Sequence, residues 1–125
     1  MKLLLDTQFL LWWLADDPAL GDRGRELIST QENLLFFSVA SVWELRIKQA
    51  IGKVDLPDDF ADALAGQAFE ALPVTVGHAN AVRTLPALHR DPFDRMLIAQ
   101  ARVERLTLLT RNAVIGQYDV SAILA

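Results

Sequence analysis

Four acids, Asp6, Glu44, Asp91 and Asp94, and the run Thr110-Arg111-Asn112 are the residues whose kinds and spacing could do chemistry in this chain. Each follows a short apolar run or opens a helix-period segment, so each belongs where a strand hands over to a helix. Each also has a structural reading. Asp6 before Thr7 suits a helix N-cap. Ser41-Val42-Trp43-Glu44 spells a capping box. Asp91-Pro92-Phe93-Asp94 reads as a cap, a proline at the first helical position and an acid in the first turn. What favours chemistry is repetition, because helices after different strands begin with a carboxylate at one edge of the sheet, where ordinary caps would also draw on Ser, Thr and Asn. Two carboxylates about 4 Å apart repel by roughly 4 kcal/mol at an effective dielectric of about 20, so a converging cluster requires a cation. Oxygen ligands with no Cys and no useful His pair select a hard ion, Mg²⁺ or Mn²⁺, over zinc. Such an ion suits phosphodiester hydrolysis, in which it activates water, holds the phosphate and offsets charge on the leaving oxygen.

The other polar residues signal less. His78 and His89 lack metal-ligand spacing, and His89 beside Arg90 reads as a surface loop residue. Ser38 and Ser41 have no His partner nearby in sequence and no G-x-S-x-G elbow, which argues against a serine hydrolase. Trp12, Trp13 and Trp43, with Phe36 and Phe37, fit core or interface positions better than base stacking. Arg46 and Lys48 lie beyond Glu44, and Arg90, Arg95 and Arg111 flank the other acids; both a solvated face and phosphate contact fit them.

The elements that would position these groups alternate between strand and helix, the pattern of an α/β sheet. Leu3-Leu4-Leu5 is an unbroken apolar run, as a parallel strand covered on both faces should be. Similar runs follow at Leu34–Phe37, Leu72–Val76, Leu106–Leu109 and Val120–Leu124. Helices are expected over 7–15, 22–31, 41–51, 58–69, 78–86 and 92–104, bounded by Pro18, Gly52, Pro57 and Gly77. In open parallel sheets sites form beyond the carboxyl ends of the strands, where these acids fall.

At 125 residues and 52% hydrophobic composition, one domain is expected. The absence of cysteine excludes disulfides, thiolate metal sites and cysteine nucleophiles. The longest charge-free run, Ala71–Val82, spans 12 residues, short of the roughly 20 that a membrane span needs. Asp6 interrupts any leader-like apolar core, so a cytoplasmic protein is expected. The net charge of −4 opposes polyanion binding, but it is uneven: residues 1–62 carry 6 basic and 11 acidic groups, and residues 63–125 carry 6 and 5.

At these residues the sequence resembles the PIN-domain family, specifically its VapC-type toxin ribonucleases, over the whole chain. Leu3-Leu4-Leu5-Asp6-Thr7 is similar to the family's opening strand and first acid, and the segment from Ser38 to Lys48 to the one bearing the second. His89-Arg90-Asp91-Pro92-Phe93-Asp94-Arg95, continuing to Ala101, resembles a signature of one branch and is the most specific match. Leu108-Leu109-Thr110-Arg111-Asn112, with Tyr118 and Val120 after it, looks like the closing strand and loop.

The resemblance implies a three-layer α/β/α sandwich, residues 1–125 forming a single domain around a mostly parallel sheet of four to five strands. It implies that Asp6, Glu44 and Asp94 hold the catalytic metal, with Thr7 and Thr110 in support and Arg46, Lys48, Arg95 and Arg111 facing RNA. The family often has a further Asp where this chain has Asn112. Asn112 still offers an oxygen, and Asp91 could supply charge, so one well-occupied Mg²⁺ (or Mn²⁺) site and a weaker second are expected. An RNA substrate, a homodimer joined through apolar helix faces and an antitoxin masking the acidic pocket are implied partners. Other classes are a phospho-receiver domain, which would want paired acids after the first strand and a late lysine where this chain has Asp6 alone and Arg111, and a dehalogenase-like phosphatase, which would want an acid where Gln8 stands. A non-catalytic interaction domain stays open because Asn112 could mark a decayed site.

Overall fold

The structure, a computed structural model, describes residues 1–125. Five strands form one parallel sheet: β1 (Lys2–Leu5), β2 (Leu34–Ser38), β3 (Glu70–Leu72), β4 (Thr107–Thr110) and β5 (Ala122–Leu124), in the order β3-β2-β1-β4-β5. The central strand β1 pairs on one side with β2, Leu5 opposite Phe37, and on the other with β4, Leu5 opposite Leu109. The six helices are α1 (Thr7–Leu14), α2 (Gly21–Ser29), α3 (Val39–Ala50), α4 (Phe60–Ala65), α5 (Val76–Val82) and α6 (Pro92–Glu104).

The leucine run of β1 makes the centre. Side chains alternate across a strand, so Leu3 and Leu5 face one side while Leu4 faces the other, and all three are fully buried. Leu3 and Leu5 pack with Leu109 on Phe9 and Leu10 of α1 and Ile28 of α2. Leu4 packs with Leu108 on Leu97, Ile98 and Ala101 of α6 and on Leu85 after α5. Two helical layers thus sandwich the sheet, as expected for the α/β/α fold, with α3 leaving the end of β2 to pack against both α1 and α6. On the α1 side the approach of α2 depends on Gly24, where a Cβ would lie 2.8 Å from Phe9 Cε1.

Some expected boundaries need correction. The third strand is Glu70–Leu72 rather than Leu72–Val76, because Thr75 accepts the His78 N–H while His78 Nδ1 accepts the Thr75 N–H, a capping box that starts α5 at Val76. Gly77 therefore lies inside a helix instead of bounding one. Helix α4 ends at Ala65, not 69. Helix α3 starts at Val39 rather than 41, with Ser38 as its cap accepting the Ala40 N–H, so Glu44 has no capping role and lies well inside the helix.

Candidate metal centre

The order β3-β2-β1-β4-β5 switches direction at β1 and β4, and the crevice beyond their carboxyl ends is where such sheets bind ligands. Asp6 and Thr110 stand at those two ends, joined across 104 residues by a 2.6 Å bond from the Thr110 hydroxyl to Asp6 Oδ2. Asp6 also caps α1, its Oδ1 accepting the Phe9 N–H at 2.8 Å. The cap reading of Asp6 therefore holds, and it does not compete with a place in the cleft.

The cleft, of about 250 Å³, is lined by Asp6, Thr7, Glu44, Lys48, Asp91, Asp94, Arg111 and Asn112 among others. Four elements meet there: the β1–α1 junction, α3, the start of α6 and the segment after β4. Glu44 is 4% exposed, and its Oε2 takes a 2.7 Å ion pair from Lys48, one helical turn on, while Oε1 is buried with no donor. Asp91 caps α6, its Oδ1 accepting the Phe93 and Asp94 N–H groups. Asp94 Oδ2 lies 2.7 Å from His89 Nε2. One ligand atom from each of His89, Asp91 and Asp94 falls within a mutual 4.8 Å, the spread a cation could close.

These acids sense one another. Burial first, and the charge of Asp94 second, push the Asp6 carboxyl up to about 6 against the opposing bonds from Thr110 and Phe9. Burial also raises Asp94, helped by the charges of Asp91 and Glu44 and resisted by His89. Lys48 is raised by its bond to Glu44, which keeps its ammonium charged. A buried acidic cleft with an unpartnered Glu44 oxygen has the donor set of a hard divalent cation, so the residues fit Mg²⁺ or Mn²⁺.

Several expected site residues have other places. Arg46 is outside the cleft: two positions from Glu44 on a helix it faces elsewhere, and it bonds Gln49 and lies 4.9 Å over the Phe60 ring. Arg95 is turned away from Asp94 and bonds the Pro86, His89, Val82 and Leu85 carbonyls and the Tyr118 hydroxyl. Arg111 lines the cleft, but its three guanidinium nitrogens bond the Ala125, Ala19 and Leu20 carbonyls while it stacks on Phe9 and Trp12. Thr7 donates to Ser41 rather than to a carboxylate. Asn112 lines the cleft, yet its Oδ1 accepts the Val114 N–H, so its oxygen is already engaged in a local turn. Reading His89 as a surface loop residue missed its contact with Asp94; the five-residue spacing across Pro92 gives no helical periodicity to flag the pair.

Residues 3–121 match the PIN domain family. The fold is similar to a chain of VapBC2 from Rickettsia felis bound to a DNA fragment from their promoter, with a TM-score of 0.75, 17% identity and 98% of each chain covered. It is also similar to a chain of DNA-bound VapBC from Salmonella typhimurium, at TM-score 0.70 and 18% identity over 98% of this chain and 97% of that one. FitAcB from Neisseria gonorrhoeae gives TM-score 0.69 and 22% identity over 97% and 96%. No curated protein sequence matches the chain.

Proposed function

The chain belongs to the PIN domain family, and from that premise we propose that it is a divalent-metal-dependent endoribonuclease of the VapC type, the toxin of a toxin–antitoxin pair. The observation that carries this reading is the convergence of Asp6, Glu44, Asp91 and Asp94 from three elements on one cleft, with a buried Glu44 oxygen that no protein donor reaches.

Asp6, Glu44 and Asp94 are the residues that would hold Mg²⁺ or Mn²⁺, with Asp91 alongside. When bound, the ion would supply charge neutralisation at the phosphate and activation of the attacking water. The protein's own groups prepare its seat. Thr110 and the Phe9 N–H oppose the effect of burial on Asp6, and Lys48 pairs with Glu44 Oε2. Lys48 is the cleft-lining cation least occupied by backbone carbonyls and so the one best able to meet a phosphate oxygen. With Asn112 Oδ1 engaged by Val114, the donor set supports one strong metal site rather than two equal ones.

An RNA substrate, an antitoxin and a homodimer are the partners that go with this reading. Support for the dimer comes from an apolar groove of about 450 Å³ lined by Val39, Trp43, Val74, Phe93 and Met96 between α3 and α6, with Trp43 63% exposed. No helix is long and apolar enough to cross a membrane. Purified protein should cleave RNA with Mg²⁺ or Mn²⁺, lose that activity in EDTA and lose it again in Asp94→Asn. Cleavage retained by folded Asp94→Asn refutes the assignment, and metal binding without cleavage would favour an interaction domain instead.

A further inference from the structure

We propose that His89 is a positioning residue of the metal centre, fixing the Asp94 carboxylate so that its other oxygen is free for the cation; this rests on the nuclease reading above. Each acid of the triad has its own donor from a different residue: the Thr110 hydroxyl for Asp6, the Lys48 ammonium for Glu44 and the His89 ring for Asp94. Glu44 and Asp94 share a pattern in which one oxygen is held by that donor and the other accepts from no protein group. At 2.7 Å, His89 Nε2 and Asp94 Oδ2 are within hydrogen-bond distance, and an Asp94 carboxylate ionised for a cation can only accept, so in that state Nε2 is the donor. In that arrangement Nε2 is committed to the carboxylate rather than to the cation.

The surroundings of His89 are built to hold it there. Its backbone N–H donates to the Tyr118 hydroxyl at 2.9 Å. The Arg95 guanidinium bonds the His89 carbonyl and the same Tyr118 hydroxyl, both at 3.3 Å, and the Pro86 carbonyl at 2.9 Å. Backbone and hydroxyl bonds thus tie the loop ahead of α6 to the body of the protein. The ring, with its side chain 25% exposed, lies against Asp94, whose side chain is 21% exposed. A solvated loop histidine would need none of these contacts.

The test compares wild type, His89→Ala and His89→Gln by Mn²⁺ titration, by electron paramagnetic resonance of the bound Mn²⁺, and by RNA cleavage across Mn²⁺ concentrations. Removing the support of a metal ligand weakens metal affinity about 10–100-fold, and that loss is expected in His89→Ala, with the Mn²⁺ needed for half-maximal cleavage rising in parallel and KM for RNA unchanged. His89→Gln, whose amide N–H reaches about as far as Nε2, should recover most of the affinity. Unchanged Mn²⁺ affinity in folded His89→Ala overturns the proposal. So does imidazole nitrogen coupling to Mn²⁺ in wild type, which would make His89 a ligand. Wild type that binds Mn²⁺ but leaves RNA intact sinks the nuclease reading alone, because the affinity comparison still decides the role of His89; wild type that binds no Mn²⁺ overturns both.

Discussion

Replacing Asp6 by Asn should make the metal-free protein more stable at neutral pH while abolishing cleavage. In the fold the carboxyl ionises at about 6 instead of 3.8, chiefly because it is buried. Below about pH 4 it is protonated in both folded and unfolded chains and carries no penalty. As pH rises from there to about 6 the unfolded chain releases its proton and the fold does not, so stability is lost, and above about 6 the loss is complete. At about 1.4 kcal/mol per pH unit the full penalty is about 3 kcal/mol. Asn cannot ionise, keeps an oxygen for the Phe9 N–H, and disturbs the Thr110 contact at a cost of about 1 kcal/mol.

The net gain of Asp6→Asn at pH 7.5 is therefore about 2 kcal/mol, or roughly 8 °C in Tm for a chain of this size. Urea denaturation of both proteins in EDTA, from pH 4 to pH 7.5, measures it. The two stabilities should diverge between about pH 4 and 6 and run parallel above. Adding Mg²⁺ should close the gap, since a ligand at about 100 times its Kd stabilises the form that binds it by about 2.7 kcal/mol and the variant has lost a ligand. Stability differences independent of pH, or a variant weaker than wild type at pH 7.5 without metal, would refute the reasoning.

Thr110→Val removes the hydroxyl that Asp6 Oδ2 accepts, which should cost about 1.5–3 kcal/mol and move the Asp6 titration further up, so that the pH at which Mn²⁺ binding is half lost rises; an unmoved midpoint counts against it. Lys48→Met leaves buried Glu44 without its partner, and because Lys48 is half-exposed the loss without metal should be about 1 kcal/mol, offset by a larger Mn²⁺-induced rise in Tm than wild type gives. An equal rise in both proteins would separate Glu44 from the metal. Gly24→Ala drives a methyl into Phe9; overpacking of about 1–3 kcal/mol outweighs a helix-propensity gain of about 1 kcal/mol, so chemical denaturation should find the variant weaker.

The parts legible in the sequence were those governed by local pattern. Leu3-Leu4-Leu5 announced a strand buried on both faces, and Asp91-Pro92 a helix start, because chain-local sterics and burial decide both. The edge strand β3 was misplaced because apolar residues continue past Pro73, and only the bonds between Thr75 and His78 tell helix from strand there. Long-range contacts decided the basic residues. Arg95 has Asp94 as its neighbour in sequence yet serves carbonyls on the other side, and Arg111 is drawn to the turn after α1 by carbonyls some 91 and 92 residues away. The i,i+4 pair of Glu44 and Lys48 was readable from spacing, but its use as a counter-charge was not, since that depends on how deeply Glu44 is buried.

The Asp6 N–H donates to the Leu109 carbonyl in the middle of the sheet, while Asp94 stands in the first turn of α6, behind a loop tied down by the Arg95 guanidinium and the Tyr118 hydroxyl. The opening between them resembles a vice with one jaw cast into the bed and the other bolted on. Replacing Tyr118 by Phe, which touches none of the acids, should therefore loosen the second jaw and leave the first where it is.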